Sequence, residues 1–271
     1  MQRFRQVALR VYLVISLYLV SSFVLCEEVT LVADEWCPYN CEPDALQRGF
    51  MIEIAETIFG KHGIKVNYKT LPWARAILAV RKGNYSGIVG AGRQEVPDFI
   101  FPDRAFGQAE HSFYIHESSP LRWKYEGLNS LKQVKLGAIR GYSYGSLNRR
   151  YIAVHRRNRK LVEIVSGETA LQQNIDKLLI GRIDVLIEDR AVFHYYLQQH
   201  GIQNSFQSRG VADTEEVFIA FSPKRANSWK YADILSQGIR LLRSSGELNL
   251  ILQKYGLADW EQAYSDSDPG I

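Results

Sequence analysis

The chain alternates short apolar runs with segments of helical period, and this alternation limits the folds open to it. Residues 29–33 form an apolar, strand-like run, and residues 50–59 then carry apolar side chains at the spacing of one helical face. A second strand-like run follows at 64–68, a helix starting near Pro72 comes next, and residues 86–91 return to a buried-strand pattern. Such alternation predicts βαβ units and a mostly parallel sheet.

The same order recurs in the second half of the chain. Its predicted elements are an extended stretch at 111–116, strands at 134–139, 161–165, 183–187 and 217–221, helices from about Ser143, over 170–179 and over 190–199, and two C-terminal helices separated near Gly246. With 46% hydrophobic and 23% charged residues, the composition is that of a globular protein. Two α/β blocks without a low-complexity linker predict two lobes in one chain.

The N-terminus has the layout of a secretory signal peptide. Three arginines within residues 1–10 precede an apolar run at 11–25, and the chain turns acidic at Glu27. As a helix this run is about 22 Å long, which is short for a bilayer core of about 30 Å. We therefore predict that residues 1–26 are a cleaved signal peptide and that the mature chain is exported.

Charge and histidine spacing exclude several classes of function. The chain has 33 Lys and Arg against 29 Asp and Glu, a formal net charge of +4, and three of these basic residues leave with the signal peptide. The remaining chain is nearly balanced, which argues against a nucleic-acid partner. The six histidines show neither an HExxH motif nor paired ligand spacing, so we predict no metal and no cofactor.

Two of the three cysteines lie close together in the segment WCPYNC at 36–41. In an exported protein, Cys37 and Cys41 are interpreted first as a disulfide that closes a small loop. A redox-active or metal-binding pair is the alternative, although the spacing is not CxxC and no histidine lies nearby.

Seven segments carry motifs whose order and spacing are informative together. They are DEWCPY at 34–39, GFMIEI at 49–54, LPW at 71–73, GNYSGI at 83–88, HSFYI at 111–115, LGAIRGYS at 136–143 and GRIDVLIED at 181–189. In this order they resemble the family 3 extracellular solute-binding proteins, the periplasmic receptors of polar amino-acid uptake systems. The similarity runs over most of the mature chain.

The resemblance implies an α/β, two-lobed, type II periplasmic-binding-protein-like fold. Two mostly parallel sheets with flanking helices would be joined by two crossing strands that act as a hinge. Lobe 1 would hold residues 27–115 and 219–271, and lobe 2 residues 116–218. The expected partners are a small polar solute, such as an amino acid, and an ABC permease or a membrane receptor, and the expected state is a monomer.

Three aromatic residues are candidate ligand contacts. Trp36, Tyr39 and Trp73 lie just beyond strand ends or at a helix start, where core packing needs them less than an interior position would. Such a cluster suits stacking of a planar group or cation–π attraction to an ammonium. The alternative is that they cap the core of the lobe.

Polar candidates follow two strands of the second block. The turn at Gly141–Ser143 offers backbone N–H groups for a carboxylate, with Arg140 beside it, although Ser143 also suits a helix N-cap. Asp189 ends a strand and could accept an amine, and in the family the matching position pairs with the ligand amino group. Its alternative role is that of an acid in the first turn of the next helix.

One segment departs from the family pattern. The family usually carries an arginine in a TxxR-like segment that binds the ligand carboxylate, but here residues 92–99 place Arg93 out of position and Pro97 near the expected place. Arg93 from its shifted position, or Arg75 from the helix of Trp73, would have to supply that contact. An ordinary α-amino acid is therefore not implied as the ligand.

Two other functions stay open from the sequence. The segment GYSYG at 141–145 matches the GxSxG nucleophile elbow, so an exported serine hydrolase using Ser143 is one alternative, although no HGGG-type loop is present. The residues that could complete its triad are Asp184 or Asp189 and His194 or His200. The other alternative is a ligand-sensing module for a membrane receptor, which no sequence feature separates from a transport role.

Overall fold

The computed structural model describes residues 27–167 and 169–261. The predicted signal peptide at residues 1–26 lies outside the described residues. Within the described part, no helix combines the length and the apolar character needed to cross a membrane.

Eight strands and seven helices make up the described chain. The strands are β1 (Glu28–Ala33), β2 (Lys65–Thr70), β3 (Gly87–Ala91), β4 (Gly107–His116), β5 (Leu136–Ile139), β6 (Val162–Val165), β7 (Val185–Asp189) and β8 (Phe206–Phe221). The helices are α1 (Phe50–Lys61), α2 (Trp73–Arg81), α3 (Ala153–His155, continuing a π-helical turn at Asn148–Ile152), α4 (Ala170–Leu179), α5 (Arg190–Gln199), α6 (Ser228–Ser245) and α7 (Glu247–Gln253). The predicted α/β class is therefore confirmed.

The strands form one mixed sheet in the order β2-β1-β3-β8-β4-β7-β5-β6. β1 is parallel to β2 and β3, and β5 is parallel to β6 and β7. Between these two parallel groups, β8 pairs antiparallel with β3 and β4, and β4 pairs antiparallel with β7. The two sheets expected from the sequence are thus joined through β4 and β8.

Strand β8 is much longer than its apolar segment. The sequence indicated a strand only at 217–221, but the ladder with β4 extends it back to Phe206. Residues 206–216 are exposed or half-buried along both faces of the strand, so they carry no apolar run that sequence periodicity could detect. The register between β4 and β8 shifts around His111 and Ser112, which marks an irregularity where the strands cross from one half of the sheet to the other.

Each half of the sheet has its own apolar core. Around β1, the helices α1, α6 and α7 bury a cluster that includes Phe59, Leu235 and Leu248. Helix α6 lies close to α1 at Gly238, where a Cβ would clash with Ile58. Around β5 and β7, a second cluster packs separately and includes Tyr151.

The segment after β5 differs from its prediction. Helical structure was expected from about Ser143, but a turn comes first and the helical segment begins at Asn148. Tyr144 has a positive φ of 44° in this turn and its ring is fully buried. Its hydroxyl accepts a hydrogen bond from the Ile139 N–H at 2.8 Å, so the buried ring fixes the turn against the end of β5.

Candidate functional site

The carboxyl ends of three strands meet at one place in the molecule. β1 leads into Asp34 and Trp36, β3 leads toward Glu95, and β5 leads into Tyr142 and Ser143. These side chains line a common cavity between the two halves of the sheet. In open α/β sheets this is where ligands bind, so we treat the cavity as the candidate site.

The cavity is small and opens toward two larger spaces. Its volume is about 40 Å³, room for roughly three water molecules or a small head group. A neighbouring cavity of about 520 Å³ shares Glu95, Ser143 and Glu215 with it. Another of about 160 Å³ shares Asp34 and three aromatic residues, Trp36, Trp73 and Tyr142. The three spaces share lining residues and form one cleft, in which the small cavity has the least volume.

Glu215 lies on β8 at the floor of the small cavity. It accepts hydrogen bonds from Ser143 Oγ and from the Gly145 N–H (3.2 Å), and His111 Nε2 lies 3.6 Å from its Oε2. Burial by itself would raise the pKa of this carboxyl, but the nearby His111 imidazole and the hydrogen bond from Ser143 hold the pKa below its usual range. A Cβ at Gly92 would collide with Oε1 of Glu215, so the carboxylate occupies space that only glycine leaves open.

Two further carboxyls, those of Asp34 and Glu95, line the cavity, and each accepts one side-chain hydrogen bond. Asp34 accepts from the Tyr142 hydroxyl at 3.1 Å, and burial raises its pKa to about 7. Glu95 accepts from Trp73 Nε1 at 2.7 Å. Burial, with repulsion from Glu215 and Asp34, raises the pKa of Glu95 to about 8. Within the described chain, no Lys or Arg side chain lines this cavity.

Aromatic rings form the remaining walls. Trp73 is the first residue of α2 and is almost buried, and Tyr142 lies across the cleft on the opposite half of the sheet. Trp36 stacks on Tyr39 with ring centroids 4.1 Å apart. The cavity thus combines aromatic faces with carboxylates, a combination that attracts cations.

The loop beneath Trp36 is closed by a disulfide. Cys37 and Cys41 are bonded to each other, which confirms the predicted pairing. The Trp36 N–H donates to the Asn40 carbonyl at 2.7 Å across the same loop. Covalent and hydrogen bonds together hold the segment that carries Trp36.

Of the residues predicted as ligand contacts, the structure brings Trp36, Trp73 and Ser143 to the small cavity. Tyr39 lies outside it as a support for Trp36, and its hydroxyl donates to the Gln108 carbonyl at 2.7 Å. Asp189 is buried and caps α5.

The contacts of Asp189 are those of a structural residue. Its Oδ1 accepts from the Val192 N–H at 3.0 Å, which is an N-cap interaction. Its Oδ2 accepts from the Glu110 N–H at 2.9 Å and from the Tyr39 hydroxyl at 3.3 Å. The alternative role considered for Asp189, that of an acid at a helix start, matches these contacts.

The three candidate arginines do not line the small cavity. Arg93 donates to the Pro102 carbonyl at 2.7 Å, and its guanidinium lies over the rings of Phe218 and Phe101, 4.3 and 4.9 Å from their centroids. Arg75 is exposed on α2. Arg140 is exposed at the neighbouring 160 Å³ cavity.

Sequence reasoning missed several lining residues: Asp34, Glu95, His111, Tyr142 and Glu215. Asp34 directly follows a predicted strand and Tyr142 lies in the turn after another, positions that could have identified them. His111 and Glu215 lie inside β4 and β8, and no local pattern distinguishes them from other polar strand residues.

The hydrolase alternative needs an imidazole next to Ser143. The Ser143 hydroxyl instead donates to Glu215, and His194 and His200 lie exposed on and just after α5. None of the hydrogen bonds found in the described chain joins either histidine to Ser143. In the same part of the chain, no group of three or more His, Cys, Asp or Glu is arranged to hold a metal ion.

Comparison with known families gives one match. A family model for the bacterial extracellular solute-binding proteins, family 3, matches residues 29–258. A search of curated protein sequences finds no match.

Solved structures similar to the chain share its fold at low sequence identity. A histidine kinase sensor domain with similarity to periplasmic binding proteins has a TM-score of 0.69 and 16% identity, covering 84% of this chain and 95% of that one. The substrate-binding protein of an ABC uptake transporter from Streptococcus pneumoniae, solved with histidine, has a TM-score of 0.68 and 23% identity over 84% and 92%. A mutant of ArgBP from T. maritima has a TM-score of 0.68 and 14% identity over 84% and 94%.

Proposed function

The chain belongs to the bacterial extracellular solute-binding proteins, family 3, and we propose that it captures a small polar solute between two closing lobes. The observation that carries the proposal is the cavity lined from both halves of the sheet, with Trp73 and Glu95 on one side and Tyr142 and Ser143 on the other. A concave site between two α/β units can exclude water when the units close.

In this proposal lobe 1 comprises residues 27–115 and 219–271, and lobe 2 residues 116–218. The two halves of the sheet bury largely different apolar cores, joined at Val192 of α5, and this division supports movement of one lobe against the other. Strands β4 and β8 are the only long strands shared by both described halves, and their register shift near His111 is a suitable hinge position.

The proposed destination of the solute is an ABC importer in the membrane of a bacterium, with the mature protein in the periplasm. Several similar structures are described as parts of such importers. A sensing role is the second candidate, because the fold matches a histidine kinase sensor domain equally well. Adjacent permease and ATPase genes would favour import, and an adjacent membrane kinase or cyclase gene would favour sensing.

The proposed function is tested by a thermal-shift screen of the purified exported chain with amino acids, amines, peptides and small organic anions. Binding to the native state raises the midpoint, and a ligand at 100 times its Kd stabilises by about 2.7 kcal/mol. We expect at least one class to raise the midpoint and to lower the radius of gyration in small-angle X-ray scattering. If no solute does either, the protein does not capture solutes in this cleft. The intact mass of the same sample tests the removal of residues 1–26.

A further inference from the structure

The turn that could receive a ligand carboxylate is already occupied by carboxylates of the chain. The Gly145 N–H donates to Glu215 at 3.2 Å and the Ser146 N–H donates to Asp213 at 2.8 Å. Ser143 Oγ also donates to Glu215. Backbone N–H groups at such a turn attract anions, and here β8 supplies two of them.

The guanidinium groups that could bind a carboxylate are also directed elsewhere. Arg93 is held by the Pro102 carbonyl and by two aromatic rings, and Arg140 is exposed at a different cavity. Neither reaches the small cavity. An α-carboxylate in the small cavity would therefore meet carboxylates without a compensating Lys or Arg, which is costly in a partly buried site.

The charge of the small cavity is instead suited to a cation. Asp34, Glu95 and Glu215 face it, and among the described residues the only basic side chain in its lining is the imidazole of His111, with no Lys or Arg. Burial of Asp34 and Glu95 raises the pKa of both carboxyls, as expected for acids that lack a counter-ion. A bound cation would supply the missing charge.

His111 provides an independent indication of the ligand. It lines the cavity, is only 6% exposed, and neither of its ring nitrogens has a hydrogen-bond partner among the described residues. Its Nε2 lies 3.6 Å from Oε2 of Glu215, and a neutral imidazole always keeps one ring nitrogen as an acceptor. A buried acceptor without a partner fits a ligand that donates N–H bonds.

The charged residues that line the adjoining cavity of about 520 Å³ also favour a cation over an anion. Its charged lining residues are four acids, Glu95, Asp213, Glu215 and Glu216, and two bases, Arg93 and Arg149. The small cavity of about 40 Å³ accommodates an ammonium or guanidinium group, and the adjoining 520 Å³ accommodates the rest of a longer molecule.

We propose that the solute is an organic cation, a primary amine or a guanidine, that carries no carboxylate. Its head group lies among Asp34, Glu95 and Glu215 and against the aromatic walls. This assignment rests on the proposed function, because it names the class of solute for the same cleft.

The test compares amino acids with the amines that they give on decarboxylation. The pairs are lysine and cadaverine, arginine and agmatine, and histidine and histamine, measured by isothermal titration calorimetry on the full exported chain. We expect at least one amine to bind at least tenfold more tightly than its amino acid.

If an amino acid binds as tightly as its amine or more tightly, the cation assignment is wrong while solute capture stands. If none of the six binds but another class in the thermal-shift screen does, the cation assignment alone fails. If nothing binds in either experiment, both proposals fail.

Variants locate the head group. Glu95→Gln keeps an oxygen that can accept from Trp73 Nε1 but removes the charge, so we expect the amine to bind at least tenfold more weakly. The matched control is Asp98→Asn, because Asp98 is exposed and pairs with Arg81 away from the cavity. Circular dichroism confirms folding of both variants. Unchanged amine affinity in Glu95→Gln would place the cation elsewhere and overturn the assignment.

Discussion

At the scale of single residues, the cavity depends on a position without a side chain. Glu215 Oε1 occupies the space where a Cβ of residue 92 would lie. We expect Gly92→Ala to displace this carboxylate and to weaken solute binding at least tenfold while the fold is kept. Calorimetric titration and a thermal melt measure the two effects.

The control for that substitution is Gly60→Ala. Gly60 lies in α1 with no atom within 4 Å of an added Cβ, so alanine there should stabilise the protein by about 0.5–1 kcal/mol and leave binding unchanged. Wild-type affinity in Gly92→Ala would show that the position of Glu215 does not matter for the solute.

Asp189 is a single residue that stabilises a whole helix, because it caps the start of α5. Loss of its cap and of its other hydrogen bonds in Asp189→Ala should lower the free energy of unfolding by about 2 kcal/mol. Because Asp189 does not line the small cavity, solute affinity at low temperature should stay within threefold of wild type. A large loss of affinity with little loss of stability would instead support the amine-binding role inferred from the family.

An ion cluster joins the elements at the far edge of the sheet. Glu163 on β6 pairs with Lys135, Lys177 of α4 and Arg182 at 2.8, 2.8 and 3.2 Å. Although burial opposes it, hydrogen bonds from Lys135 and Lys177 lower the pKa of Glu163 to about 2.

The lowered pKa of Glu163 gives a signed prediction. A carboxyl whose folded-state pKa lies below its unfolded value stabilises the protein above the unfolded pKa, and this contribution is lost as the pH falls through the folded one. Glu163→Gln should therefore cost about 1 kcal/mol at pH 7, a modest value because solvent screens the pairs. Urea unfolding at pH 7 and pH 2.5 should show the difference shrinking at the lower pH. A difference that is equal at both pH values would contradict the ion-pair account.

Sequence patterns identified the strands that are apolar and buried and missed the part of a strand that is polar and exposed. The strands β1, β3, β5 and β7 carry apolar runs, and the predicted segments overlap them. The part of β8 at 206–216 is held by its ladder with β4 and has no such run. Glu215 lies in this part, so the floor of the cavity was not predictable from local pattern.

The direction in which a side chain points could not be predicted from the sequence either. Arg93 follows β3 as expected, but packing on Phe101 and Phe218 turns it away from the small cavity. The aromatic residues at strand and helix ends were easier to identify, because Trp36 and Trp73 have positions fixed by the backbone.

At the scale of the whole molecule, the candidate site is the place where the two halves of the sheet meet. The Tyr142 hydroxyl and Asp34 form a hydrogen bond across the cleft, from the end of β5 to the end of β1. In the proposed function, closure of the lobes would bury the Tyr142 hydroxyl and the Asp34 carboxyl further. The charge of the site and the closure of the lobes are therefore coupled. A solute that compensates the carboxylates should stabilise the closed form.

The same coupling predicts how the stability of the protein depends on pH. Burial raises the pKa of Asp34 to about 7 and the pKa of Glu95 to about 8, above their unfolded values. The folded state then binds more protons than the unfolded state between roughly pH 4.5 and 8, so these groups destabilise the ligand-free protein as the pH rises through that window. The acidic groups that face Glu95 are Asp34 and Glu215, and both oppose its ionisation.

A cationic solute removes this penalty, so the increase in thermal midpoint on adding a saturating amine should be larger at pH 8.5 than at pH 6. In Glu95→Gln the ligand-free midpoint should fall less steeply with pH. Scanning calorimetry with and without the amine measures both effects, and an amine-induced shift that is the same at the two pH values would contradict the assignment of these carboxyls to the solute.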